Sequence, residues 1–154
     1  LTAFAAAVVL TAATGCGEAF TDPPEGHEDR LHKAAGVAAF ELVVTQDLWD
    51  DTIPKDRFSG LRDIEGTDPG DEDLASRGLM QFTMSGRQLV AYLEEVERDG
   101  YGGWLEETTR GSTQRVVSKR VYDEIAPVID AIEGPRGPED PAPRLVLDDT
   151  VPQP

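Results

Sequence analysis

The chain has 154 residues, and its 30 Asp and Glu outnumber its 14 Lys and Arg to leave a net charge of −16. That surplus disfavours nucleic acid as a partner, and the length suits a single domain. The lone cysteine excludes an intrachain disulfide, and the complete lack of Asn excludes N-glycosylation sequons.

The first element in chain order is an uncharged run over residues 1–16. Thr2 to Ala13 consists of Ala, Val, Leu, Phe and Thr. It has about the length of a secretory h-region and falls short of the roughly 20 residues a membrane span needs. The chain starts at Leu and carries no basic n-region, so a short upstream segment with Met and Arg or Lys is expected. Ala13-Thr14-Gly15-Cys16 resembles the lipobox of bacterial lipoprotein precursors, with Ala at the position where Leu is commonest. The resemblance implies a signal peptide over residues 1–15 and cleavage before Cys16. It also implies a diacylglyceryl group on the Cys16 sulfur and a place on the extracytoplasmic face of the cell membrane. At about 0.8 kcal/mol per buried CH₂, two acyl chains hold where one is marginal. The alternatives are a plain signal peptide with an incidental Cys, or a buried N-terminal helix.

Residues 16–27 read as the lipidated Cys and a tether, and residues 28–133 as a helical domain. Residues 134–154 read as a Pro-rich disordered tail, in which Leu145-Val146-Leu147 is the one triplet able to dock as a strand. The fold class expected is mainly α: three helices, the last one kinked, with room for short strands. A first helix over Glu28–Trp49 follows from the stripe of Leu31, Ala35, Ala38 and Leu42, while residues 37–44 read alternatively as a buried strand. Asp50 to Arg77 is a long polar loop with a helical turn near Asp71–Arg77, and Leu79 to Met84 alternates as an extended segment. Ser85 and Gln88 form a capping box for a second helix, whose apolar face is Leu89, Val90, Leu93 and Val96 and whose stop is Gly100. A third helix runs from about Ser112 to Glu133. Pro127 predicts a kink near Asp123–Pro127, and Gly134-Pro135 a stop. Ser85–Val96 and Arg120–Ile132 resemble parts of small secreted proteins of high-GC Gram-positive bacteria, a likeness that implies no activity.

The chemistry on offer is sparse. His27 and His32 are five apart, out of phase for a zinc-binding helix pair, and read as solvated surface residues. Asp68, Asp71 and Asp73 in the acidic 66–73 loop are weak candidates for a hard cation, without the EF-hand spacing. Tyr101 and Trp104, on a Gly-rich loop after the second helix, are candidate partner contacts, against the alternative that both rings fold back on the core. Glu94, Glu95, Glu97 and Asp99 crowd the end of one helix, and Arg110, Arg115, Lys119 and Arg120 the start of the next, both against the helix dipole. An antiparallel hairpin would let Glu94 and Glu97 face Arg115 and Lys119 as a charge-pair stripe; otherwise the basic cluster is open to an envelope polyanion. Serines 59, 76, 85, 112 and 118 lie in no nucleophile elbow. The reading is a lipid-anchored, extracytoplasmic, non-catalytic domain without cofactor, bound to the membrane through its lipid and to a protein or envelope partner. The alternatives are a cation- or ligand-sensing module using the 66–73 loop, or an envelope enzyme subunit.

Overall fold

The computed structural model describes residues 23–54, 60–102 and 107–150. Cys16, the leader, most of the tether and Trp104 lie outside the described residues. The elements in order are α1 (His27–Ala35), β1 (Phe40–Thr45), α2 (Gln46–Thr52), α3 (Glu72–Ser76), β2 (Leu79–Met84), α4 (Gly86–Tyr101), α5 (Glu107–Asp130) and β3 (Arg144–Val146). Five helices and a three-stranded sheet among the described residues make this an α/β mixture, which corrects the expected mainly α three-helix domain.

The correction begins at the first expected helix, which is broken into α1, β1 and α2. Gly36 caps α1 through bonds to the carbonyls of Lys33 and Ala34. Ala35 and Ala38, half of the supposed apolar stripe, are exposed. Phe40-Glu41-Leu42-Val43-Val44-Thr45 then runs as the central strand. Leu42, Val43 and Val44 are all buried, so both faces of this β-branched run are covered. A strand buried on both sides loses its two-residue alternation, which is why it imitates a helical stripe.

β2 pairs antiparallel with β1, Phe40 opposite Met84 and Thr45 opposite Leu79. β3 pairs parallel on the other edge, Leu42 opposite Leu145. The chain from Gly134 to Thr150 is therefore docked and not an open tail. Arg136 bridges to Val37, the Pro143 carbonyl accepts from Glu41 N at 2.9 Å, and Leu147 is buried. Phe40, Leu42, Val44, Phe82 and Met84 share one core with Leu89, Leu93 and Val96 of α4 and Val121, Ile125 and Ile129 of α5.

The start of α4 matches its sequence signature: Gln88 N bonds the Ser85 hydroxyl and Ser85 N bonds Gln88 Oε1. Its end does not, because the helix continues through Gly100 to Tyr101 and Gly102 is the cap. Gly100 serves close approach, not termination: a Cβ there would stand 2.6 Å from the backbone N of Lys119 on α5. Gly86 does the same at the other end, where a Cβ would meet the carbonyl oxygens of Ala34 and Ala35 in α1 and of Val37 just after it at 2.6–2.9 Å. In α5 the backbone leaves helical geometry at Gly111 (φ 73°), while Pro127 sits inside the helix with helical dihedrals. The break thus falls where a left-handed residue is cheap, sixteen positions before the proline that was expected to cause it.

Candidate functional site

Among the described residues a connected cluster of polar groups lies along α5, where the end of α4 and one side of α1 meet it. Tyr101 of α4 is half-buried, with its ring edge-on to Tyr122 at 5.5 Å. Its hydroxyl donates to Asp123 and accepts from Lys119 Nζ at 3.0 Å. Lys119 also donates to Asp123 at 2.5 Å and stands 4.6 Å from the Tyr101 ring centroid. Burial, reinforced by the bond to Asp123, pushes the Tyr101 phenol up. Burial also pushes Asp123 up, but its bonds from Lys119 and Tyr101 outweigh that and hold the carboxyl below the usual range. The same bond to Asp123 raises Lys119. Tyr101 is thus folded back onto the domain, which answers for Tyr101 the question that Tyr101 and Trp104 posed together.

One turn along, Tyr122 joins α5 to α1. Its hydroxyl lies 2.8 Å from His27 Nδ1 and 3.3 Å from Arg30 Nη1. Arg30 has only protons to give, so the phenolic oxygen accepts from it, while the direction of the bond between the phenol and Nδ1 follows the His27 tautomer. Arg30 also makes a two-pronged pair with Asp130, at 3.0 and 2.8 Å, and Lys33 donates to the Asp130 carbonyl at 2.9 Å. Those two cations sit at the C-terminal end of α5, where the helix dipole favours them. The bond to Asp130 is the main reason the Arg30 guanidinium is held even more firmly charged than usual. His27 is 6% exposed, which corrects its expected place in the solvent; His32 is exposed as expected. The spacing of the two histidines carried no sign of this, because the partner of His27 is 95 residues away.

Of the expected charge-pair stripe, Lys119 donates to Asp123 on its own helix and to Tyr101 of α4. The buried acid of α4 is Glu95, 3% exposed and paired with Arg98 on its own helix. Glu94 is exposed, and Glu97 lies near enough to Tyr122 to help raise its phenol, behind the larger effect of burial. Arg115 is half-buried.

In the acidic loop each candidate ligand has local work. Asp68 Oδ1 accepts from Gly70 N at 2.8 Å, and Asp71 Oδ1 caps α3 through the N–H groups of Asp73 and Leu74. Asp73 pairs with Arg77 at 3.0 Å. Arg77 also pairs with Asp148, whose carboxyl is held low chiefly by its bond from the Thr150 hydroxyl. Among the described residues no group of three or more His, Cys, Asp or Glu is gathered to hold a metal ion.

Two cavities lie on the surface of the described residues. One, about 600 Å³, lies on the turn after α5 among Glu133, Pro135, Arg136 and Asp140. The other, about 360 Å³, lies between α2 and the turn at Leu61–Ile64 and is lined by Gln46, Trp49, Asp50, Ile53, Arg62 and Ile64. Four of the six residues that line the second belong to the Asp50–Arg77 stretch, whose unusual length is the only sequence signal that something is built there. No protein-family model, no curated protein and no solved structure matches the chain significantly. Among the described residues no helix is long and apolar enough to cross a membrane.

Proposed function

We propose that the chain is a lipid-anchored extracytoplasmic domain, held at the cell membrane by a diacylglyceryl group on Cys16, that acts by binding and not by catalysis. The observation that carries this reading is the sequence Ala13-Thr14-Gly15-Cys16 at the end of an uncharged apolar run, with no other cysteine in the chain. A diacylated cysteine leaves no free thiol, so the single Cys of an exported protein poses no risk of stray intermolecular pairing. The net charge of −16 gives the domain no electrostatic hold on anionic headgroups, so the acyl chains supply the attachment. A protein or envelope component is the partner class that suits an acidic domain displayed at that surface.

Metabolic labelling with a fatty acid tests the anchor directly. The unaltered protein is expected to take up label and to sediment with membranes, and Cys16→Ala to do neither. Label and membrane association that persist in Cys16→Ala would overturn the reading.

A further inference from the structure

The cavity beside α2 sets opposite charges over an apolar floor. Trp49, Ile53 and Ile64 supply the floor, and Gln46, Asp50 and Arg62 the polar groups. Its volume of about 360 Å³ falls at the lower end of the range for small-molecule sites, about 300–1,000 Å³. The floor is rigid, because Trp49 stacks on Phe82 at 4.4 Å and on Tyr92 at 5.4 Å inside the core.

The two charged groups are held but not spent. Asp50 accepts a single bond, from Gln46 Nε2 at 3.0 Å to Oδ1, which leaves Oδ2 open. Arg62 commits only Nε, to the Pro54 carbonyl at 3.1 Å, which leaves both Nη groups open. Among the described residues neither side chain forms an ion pair, although they line one cavity and the chain has charges of both signs in abundance. A guanidinium fixed through Nε presents its Nη edge as a fork that suits a carboxylate, and a carboxylate steadied by an amide suits an ammonium. The larger cavity after α5 also has charges of both signs, but Arg136 there spends Nη1 on the Pro141 carbonyl and the lining has no large apolar side chain.

We propose that this cavity binds a free α-amino acid with an aliphatic or aromatic side chain. The ligand carboxylate takes the Nη edge of Arg62, and its ammonium takes Asp50 Oδ2 with the Gln46 side-chain oxygen. Its side chain covers Ile53 and Ile64. A zwitterion carries no net charge, so the strongly acidic chain does not repel it as it would a simple anion. The site is built from described residues alone, and its test does not depend on the lipid anchor.

Isothermal titration of the full chain with L-leucine and L-phenylalanine tests the proposal, with N-acetyl-L-leucine and L-leucinamide as ligands that lack one charge each. Saturable binding of at least one amino acid is expected, and each blocked ligand should bind about tenfold more weakly or worse, the cost of one charge-assisted bond. Arg62→Ala and Asp50→Asn should weaken the amino acid by a similar factor. Both side chains are exposed, so the thermal midpoint should stay unchanged in these variants. Failure of both L-leucine and L-phenylalanine to saturate the protein overturns the proposal, as does binding that survives both substitutions. If a variant does not fold, the blocked ligands on the unaltered chain still decide between these outcomes.

Discussion

Helix α5 meets the rest of the molecule through two flanks that are held by different forces. Toward α4 and the sheet it is dry: Val121, Ile125 and Ile129 share a continuous core with Leu93, Val96 and Phe82. Toward α1 and the tip of α4 it is polar: Tyr101, Lys119, Asp123, Tyr122, His27, Arg30 and Asp130 are joined by hydrogen bonds and ion pairs. Apolar burial carries most of the stabilisation and is indifferent to moderate salt and pH. Partly exposed ion pairs contribute less, and both salt and pH reach them. The difference means that salt and pH act more on the contact of α5 with α1 than on the α4–α5–sheet core.

Leu93→Ala should strike the dry flank hardest, at about 2–5 kcal/mol, because Leu93 is fully buried and its neighbours cannot close the space. Chemical denaturation would check it, and the loss should be the same in low and high salt. Gly100→Ala forces a methyl group toward the Lys119 backbone and should cost about 1–3 kcal/mol. A neutral or stabilising result there would show that the two helices are not in close contact at this point. Ser85→Ala removes the cap of α4 and should cost about 1 kcal/mol, read as a lowered thermal midpoint.

On the polar flank, Arg30→Ala should cost no more than about 1 kcal/mol, since its partner Asp130 is 45% exposed. Most of that loss should vanish in concentrated salt, in contrast to Leu93→Ala. The smallest effect concerns acid. Asp123 has its pKa lowered in the folded state, so its contribution is fully present above the unfolded carboxyl pKa, about 3.9, and is lost as pH falls through the folded value. Asp123→Asn should flatten the acid limb of a stability–pH curve and also move its alkaline limb, because Asp123 raises Lys119 and Tyr101. That alkaline limb belongs partly to the other flank. Burial raises the Tyr92 phenol far above its usual value, so its contribution is present below about pH 10 and fades above it.

Legibility in the sequence followed the same division between local and distant causes. The capping box at Ser85, the helical turn after Asp71 and the alternation of Leu79–Met84 are short-range signals, and each appears in the fold. β1 was legible only as an alternative, because burial on both faces erased its period. Residues 144–146 form a strand behind a Pro-rich approach that reads as open chain, since prolines lack the donors a central strand needs. At a sheet edge that lack costs little, and Pro143 contributes its carbonyl to Glu41 instead. His27, Tyr122 and Arg30 meet through contacts more than 90 residues apart, and nothing in their spacing announces them. Asp50 and Arg62 are ordinary loop and helix charges until the fold brings them to one cavity.

The proposed membrane anchor rests on Cys16, and mass spectrometry of the N-terminal peptide from the producing cell tests it most directly. Lipidation predicts a chain that begins at Cys16 with a thioether-linked diacylglycerol on its sulfur. A chain that begins elsewhere, or an unmodified Cys16 thiol, would contradict it.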